Sequence, residues 1–169
     1  MVRDEATQNA PALEGGRVTV ALADSSAPES LLLFEHLWKE LGQLYGNTGP
    51  CEFKPADVLG AGSAFVVARL DGRPVGCGAV RPLAPGVAEV KRMFVEPEAR
   101  GLGVGRRILQ ELEREAGVLG YVALRLETGV KQPAAIALYE GAGYRRVERY
   151  GVYADDPLSV CMEKRLGTV

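Results

Sequence analysis

The sequence predicts an α/β domain with one mixed β-sheet, in which antiparallel strands are followed by a β-α-β-α-β half. Two observations support this fold class. Apolar segments at 65–70 and 75–80 flank Asp71-Gly72, a pair that tolerates positive φ and is typical of tight hairpins. Strand-like segments at 87–95 and 122–127 are separated by a helical pattern, which predicts parallel neighbours joined by a right-handed crossover. Helices on both faces are the simplest cover for such a sheet.

The elements before the hairpin are short or irregular. Residues 17–22 form a candidate strand. Leucines that recur every fourth residue predict a helix over 28–44, with a proline in its first turn and Ser26 as its N-cap. Residues 45–55 are rich in Gly, Asn, Thr and Pro and are expected to form a loop, followed by a short helix at 55–59.

Two more helices and two closing strands are expected after the strand at 87–95. A glycine-rich loop leads into a helix that extends to about Ala116 and is apolar at every fourth position. The next helix is predicted at 133–142, because proline suits its first position and Gly143 lies just past its end. Segments 144–150 and 159–165 complete the sheet.

Length and charge limit the function of the chain. Its 169 residues fit one domain, predicted at 17–169, and the polar residues 1–16 are expected to be a flexible N-terminal tail and not a secretory signal. The net charge of −2 and the pI of about 5.6 argue against a nucleic-acid or membrane-surface partner, since nucleic-acid binders usually carry a basic patch. No apolar run approaches the roughly 20 residues of a membrane helix.

Cysteine and histidine offer little material for metal binding or nucleophilic catalysis. Cys51, Cys77 and Cys161 are far apart and have no metal-ligand spacing, which is typical of free thiols in a reducing cytoplasm. The single histidine, His36, is interpreted as a pairing residue on an amphipathic helix. The sequence therefore predicts a cytoplasmic protein without a bound metal.

A glycine-rich segment, RGLGVGRR at 100–107, lies between a strand and a helix. Alternate glycines let the backbone approach a ligand closely, and N–H groups at a helix start present positive partial charge. Such a loop would hold a pyrophosphate through backbone donors, with Arg100, Arg106 or Arg107 adding charge-assisted contacts. From the glycines alone, a plain glycine-rich turn is an open alternative.

Two other phosphate-binding motifs fit this segment less well. A P-loop ends in Gly-Lys-Ser/Thr, whereas Gly105 is followed by Arg106. A dinucleotide fingerprint has the spacing G-x-G-x-x-G directly after its strand, whereas the spacing here is G-x-G-x-G and residues 96–99 intervene. Both motifs are therefore disfavoured.

Two segments together resemble the GNAT superfamily of N-acetyltransferases. The family carries Arg/Gln-x-x-Gly-x-Gly/Ala between its fourth strand and third helix, matched by Arg100, Gly103 and Gly105 after the family-like EVKRMFV at 89–95. The family often also reads Asn-x-x-Ala-x-x-Leu-Tyr-x-x-x-Gly-Phe, and residues 132–144 read QPAAIALYEGAGY. The resemblance covers the chain from about Gly62 to Leu166 and implies a GNAT-like fold with splayed parallel central strands.

The resemblance implies a site for acetyl-CoA as co-substrate and no metal. Family members lay the pantetheine arm of CoA between the fourth and fifth strands and hold its pyrophosphate on the glycine-rich loop. Gln132 takes the place of an asparagine that often contacts the cofactor, and Tyr144 replaces the usual phenylalanine. The cofactor-binding residues implied in this way are Met93, Phe94, Val95, Arg100, Gly101, Leu102, Gly103, Val104, Gly105, Arg106 and Gln132.

The resemblance also implies direct acyl transfer to the primary amine of a small molecule in a ternary complex. Tyr139 matches the tyrosine that protonates the departing thiolate in many members, and Glu89 matches a glutamate that is the general base in some. A carboxylate would help because an alkylammonium has a pKa of about 10.4. The alternatives are that Tyr139 packs in the core with Ala135 and Leu138, and that Glu89 pairs with Lys91.

A two-step route through a cysteine is disfavoured. Neither Cys77 nor Cys161 has a histidine nearby in the sequence, so both are interpreted as small apolar packing residues.

The acceptor and further partners stay open. In the family the acceptor pocket is built from the first two helices, their loop and late-strand residues, which here are residues 44–55 with Glu127, Thr128, Tyr150, Tyr153, Asp155 and Asp156. An acidic rim would attract a cationic amine, although aspartates beside a proline are equally typical of a solvated turn. The rival functions are a CoA-binding sensor without catalysis and a protein or peptide N-acetyltransferase. A homodimer through the closing strands is a further expectation from the resemblance.

Overall fold

The computed structural model describes residues 16–46 and 49–167, which form a seven-stranded sheet and three α-helices. The strands follow the order β1-β2-β3-β4-β5-β7-β6 across the sheet, and only the β4–β5 pair is parallel. This arrangement confirms the predicted fold class. The elements are β1 (Val18–Leu22), α1 (Pro28–Tyr45), β2 (Ala64–Leu70), β3 (Arg73–Ala84), β4 (Val87–Val95), α2 (Val104–Val118), β5 (Ala123–Gly129), α3 (Pro133–Gly141), β6 (Arg145–Val147) and β7 (Ser159–Arg165).

Four local expectations need correction or restriction. Ser26 does not cap α1: its hydroxyl donates to Asp24 Oδ1 at 2.6 Å, an anionic acceptor within the same turn, and Ala27 occupies the N-cap position. The predicted short helix is a 3₁₀ turn at Pro55–Val58, and β6 is shorter than the predicted segment 144–150. The predicted N-terminal tail lies outside the described residues except for Gly16.

The central strands are buried on both faces of the sheet. Helix α2 covers one face with side chains such as Ile108 and Leu112, and α3 packs at the edge of the same layer. Helix α1 covers the other face with Leu33 and Phe34. Burying one such side chain contributes about 1.5–3 kcal/mol, so the two layers together hold β4 in the middle of the domain.

Strand β4 contains a bulge. Arg92 and Met93 both lie opposite the single Gly78 of β3, because the register shifts between Cys77 and Ala79. Arg92 has φ 57°, a left-handed conformation that costs about 1–2 kcal/mol for a residue with a side chain. Since a bulge increases the local twist, the second half of β4 follows a different direction from the first.

The parallel pair is short. Residues 87–89 of β4 pair with residues 123–125 of β5, and no further pairing connects the two strands. Beyond this point the edge of β4 from Val90 to Val95 is open towards β5. The resulting gap, at the carboxyl ends of both strands, is the splay implied by the family resemblance.

Gly76 allows β3 to approach β4 closely near the bulge. A Cβ atom at this position would lie 2.7 Å from the carbonyl oxygen of Phe94 and 3.0 Å from Ile108 Cδ1. We expect Gly76→Ala to lower the free energy of unfolding by about 1–3 kcal/mol, because backbone of β4 must move. Chemical denaturation followed by circular dichroism measures the change.

Gly141→Ala is the matched control, since a Cβ atom there meets nothing within 4 Å. Its stability should equal or exceed that of the unmodified chain because alanine favours helix. A Gly76→Ala variant as stable as Gly141→Ala would contradict the close approach.

Candidate active site

The gap between β4 and β5 opens into a cavity of about 610 Å³, here called the cofactor cavity. Its walls come from α1, the end of β4, the glycine-rich loop and the start of α3. Of the predicted cofactor-binding residues, the cavity leaves out only Leu102, whose side chain is 41% exposed. Those that line it are Met93, Phe94, Val95, Arg100, Gly101, Gly103, Val104, Gly105, Arg106 and Gln132.

The glycine-rich loop presents unpaired backbone donors to this cavity. Gly101 and Gly103 have φ of 78° and 77°, conformations that favour glycine. Gly103 is the N-cap of α2, and neither a capping side chain nor an acidic residue occupies the first turn. The first N–H groups of an α-helix have no acceptor within the helix, so the start of α2 attracts an anion.

The arginines around the loop differ in what they contact. Arg100 donates from Nε to the carbonyl oxygen of Val95 at 2.9 Å and from Nη2 to Glu40 at 2.5 Å, so it connects the loop to β4 and α1. Arg106 lines the cofactor cavity and forms no ion pair with any described residue, whereas Arg107 does not line it. Arg106 is therefore the cation most available to a phosphate group.

A second cavity of about 380 Å³, here called the acceptor cavity, adjoins the first. It extends between α1, the β4 bulge and the carboxyl end of β5. The residues on the wall common to both cavities are Leu37, Met93, Gln132, Ala135 and Tyr139.

Tyr139 lies on this common wall. Its side chain is buried, and its ring packs edge-on against Tyr144 with centroids 5.9 Å apart. Burial, and to a lesser degree the charge of Glu127, raises the pKa of the Tyr139 phenol above its usual value. The hydroxyl therefore keeps its proton at neutral pH. The packing role offered by the sequence is also present, since Tyr139 belongs to the α2-side core.

Glu89 does not line either cavity. Its carboxylate is buried and lies 3.4 Å from Arg81 Nη2 and 3.5 Å from Lys91 Nζ. Tyr150 donates its hydroxyl to Glu89 Oε1 at 3.3 Å. The pairing with Lys91, which the sequence offers as the alternative to a catalytic role, is thus present.

Glu127, at the carboxyl end of β5, lines the acceptor cavity. Its Oε1 accepts a hydrogen bond from Ser159 Oγ at 2.8 Å. Burial raises the pKa of this carboxyl, while the Ser159 hydrogen bond and the charge of Lys91 partly offset the rise. Sequence reasoning assigned Glu127 only to the acceptor pocket. Its place on β5 beyond the last pair with β4 gives it a more direct position.

The other predicted acceptor residues divide into two groups. Thr128 and Asp156 line the acceptor cavity, whereas Tyr150, Tyr153 and Asp155 do not. The two tyrosines instead bind the buried ion pair on β4: the lysine of that pair donates to the Tyr153 hydroxyl at 2.6 Å. The two tyrosines therefore contact Glu89 and Lys91 without lining the cavity themselves.

The two cysteines considered for a two-step route are poorly suited to it. Burial raises the pKa of the Cys77 and Cys161 thiols, which disfavours the thiolate that a two-step route requires. Within residues 16–46 and 49–167, no group of three or more His, Cys, Asp or Glu side chains is arranged to hold a metal ion. No helix in these ranges combines the length and hydropathy needed to cross a membrane.

Comparison with known proteins decides the family. Residues 31–144 match the model of the acetyltransferase (GNAT) family. The chain belongs to the GNAT family. Its members use acetyl-CoA as co-substrate, and the chain is an acetyl-CoA-dependent N-acetyltransferase.

Individual relatives agree with this assignment. An IAA acetyltransferase of Azospirillum brasilense is 42% identical over 150 residues, which cover 88% of this chain and 98% of the relative. A candidate acyl-CoA N-acyltransferase of Klebsiella pneumoniae has a similar structure, with a TM-score of 0.75, 33% identity and coverage of 89% of this chain and 98% of that one. A GNAT-family acetyltransferase of Staphylococcus aureus, at 18% identity and a TM-score of 0.73 over 89% of this chain and all of that one, shares the fold.

The raised pKa of Glu127 has a consequence for stability. The unfolded-state value for glutamate is about 4.3, so a higher folded-state pKa means that the ionised carboxylate destabilises the fold at neutral pH. We expect Glu127→Gln, which keeps the acceptor for Ser159, to raise Tm at about pH 8. The gain should shrink as the pH falls through the folded-state pKa and vanish below about 4.3.

Thermal unfolding across this pH range measures the effect. Glu163→Gln is the control, because it removes a carboxylate of the same sheet that Arg125 pairs at 2.6 Å, and it should show no gain. A Glu127→Gln variant with a lower Tm than the unmodified chain at about pH 8 would show that burial of the ionised carboxylate does not destabilise the fold.

Proposed function

We propose that this chain moves the acetyl group of acetyl-CoA directly to the primary amine of a small molecule, in a cytoplasmic ternary complex. The observation that carries the proposal is the pair of adjoining cavities with Tyr139 on their common wall. The cofactor cavity would take CoA and the acceptor cavity the amine, so that the thioester and the amine meet at Tyr139. Holding both reactants in contact supplies a large share of the rate in such a reaction.

Two carboxylates are candidates for the base that takes the proton of the amine. We favour Glu127, because it lines the acceptor cavity and its raised pKa makes it a better base than an ordinary glutamate. Glu89 would have to act through water or through Tyr150, since its oxygens are held by neighbouring side chains away from both cavities.

Tyr139 is the proposed acid. As the C–N bond forms and the C–S bond breaks, the CoA sulfur receives a proton from the Tyr139 hydroxyl. A phenol that stays protonated at neutral pH suits this step, and burial keeps it so. A backbone N–H near Phe94 or Val95, at the open edge of β4, would stabilise the oxyanion.

A small acceptor fits the contacts that join α1 to the loop before α3 where the two cavities meet. Lys131 donates from Nζ to the carbonyl oxygen of Leu44 at 3.1 Å and from its backbone N–H to Tyr45 Oη at 3.3 Å. These bonds join the end of α1 to the loop before α3 and so limit the room for an extended peptide.

The names of relatives point the same way. The Azospirillum relative is named for IAA. An acetyltransferase of Nocardia farcinica, 36% identical over 83 residues (48% of this chain, 43% of the relative), is named for L-2,4-diaminobutyric acid. These names support a small-molecule acceptor.

The function is tested by thiol release from acetyl-CoA with a panel of free amino acids, simple amines, polyamines, aminoglycosides and a lysine peptide. Turnover with a small amine is the expected result. Turnover with the peptide alone would favour protein acetylation. Thermal stabilisation by acetyl-CoA without turnover on any member would contradict the proposal and favour a sensor.

Tyr139→Phe should lower kcat by about 10²–10⁴-fold, because the thiolate then leaves without a proton donor. The KM for acetyl-CoA should change little, since the ring remains in place. Steady-state kinetics measures both constants. Tyr144→Phe is the matched control, because Tyr144 packs on the same ring but lines neither cavity, and it should retain near-normal turnover. Equal kcat values for the two variants would contradict the acid role.

The two carboxylates are separated by their pH profiles. Glu127→Gln should lower kcat/KM by about 10²-fold and remove the loss of activity at acid pH, because that loss reports protonation of the base. Glu89→Gln should keep the acid limb of the profile. If Glu89→Gln removes the acid limb and Glu127→Gln keeps it, the base is Glu89.

A further inference from the structure

Two cations of β4 face the acceptor cavity side by side. On a regular strand consecutive side chains point to opposite faces of the sheet. Lys91 and Arg92 nevertheless both line this cavity, because the bulge falls at Arg92. Arg92 reaches this position with a left-handed backbone conformation, φ 57°. Residues with such strained backbone concentrate at functional sites.

The Arg92 guanidinium has N–H groups without an acceptor among the described residues. Its Nη2 donates to Asp57 at 3.0 Å, and its Cζ lies 3.8 Å from the centroid of the Phe53 ring. Its Nε is buried and has no hydrogen-bond partner among the described residues. This Nε is closed off from the cavity, so the donor that a ligand oxygen would meet is Nη1, which donates to no described residue.

The β5 side of the cavity carries the opposite charge. Glu127 lies there at the end of β5, and Asp156 lies at the rim. Glu127 lines the same cavity as Tyr139, the proposed transfer point. A simple alkylammonium would be attracted by Glu127 but would bring no acceptor for the Arg92 guanidinium.

Both ends are satisfied by one class of molecule. We propose that the acceptor is a zwitterion, an amino acid whose ammonium group faces Glu127 and whose carboxylate is bound by Arg92 with help from Lys91. Leu37, Leu41, Tyr45 and Phe53 also line this cavity, and they favour an amino acid with an apolar side chain. The assignment rests on the proposed function, since it names the acceptor of that same transfer.

The proposal is tested by comparing each amino acid with the amine left when its carboxylate is removed. Suitable pairs are leucine with 3-methylbutylamine and phenylalanine with 2-phenylethylamine. A charge-assisted hydrogen bond predicts that kcat/KM favours the amino acid by about 10–100-fold. Thiol release from acetyl-CoA measures both members of each pair.

Arg92→Gln identifies the residue responsible. It should lower kcat/KM for the amino acid by about 10–100-fold, mainly through KM, and change kcat/KM for the matched amine by less than about 3-fold. Asp57→Asn is the matched control, because it removes the ion-pair partner of Arg92 but leaves the guanidinium in the cavity. This variant should keep the preference for the carboxylate. Thermal stabilisation by acetyl-CoA shows that each variant is folded.

The outcomes separate the two proposals. If the unmodified enzyme acetylates the decarboxylated amines as well as or better than the amino acids, the zwitterion is wrong and acetyl transfer stands. An amino-acid preference that survives Arg92→Gln undiminished would also overturn the assignment. If acetyl-CoA binds and no amine of either kind is acetylated, the proposed function and this inference both fail.

Discussion

The site depends on one feature of the sheet, which is that β4 and β5 stop pairing after residues 87–89. Pairing would otherwise satisfy the backbone of β4 and close the gap. The bulge at Arg92 changes the course of β4 beyond this point, and the layers under α1 and α2 hold the strand by apolar burial on both faces. Both cavities follow from this divergence, since each is lined by residues of β4 beyond the last pair.

Charge is distributed along the gap in a way that matches an anionic cofactor. The uncapped start of α2 and Arg106 face one end of the cofactor cavity, while Arg100 braces the loop against Glu40 of α1. A second polar contact joins α1 to the residue after β4: His36 Nδ1 lies 2.5 Å from Glu96 Oε1. Helix α1 thus closes the site by polar contacts at the end of β4 and by apolar contacts beneath it.

Much of this could be predicted from the sequence, because the signals are local. The hairpin at Asp71-Gly72, the full extent of β4 and the glycine-rich loop all depend on residues adjacent in the chain. The choice between carboxylates could not be predicted. Glu89 is held by Tyr150, which is 61 residues away, while the role of Glu127 depends on a cavity built from several elements. The bulge could not be predicted either, because the sequence EVKRMFV at 89–95 has the pattern of a regular strand.

The central claim is that acetyl-CoA occupies the gap between the splayed strands. Hydrogen–deuterium exchange with and without acetyl-CoA tests this directly, because the cofactor would cover open backbone donors that water otherwise reaches. The predicted result is added protection at residues 93–95 of β4 and at the start of α2, residues 103–106, with little change in β1. Protection confined to other elements, or none despite measured binding, would contradict the account.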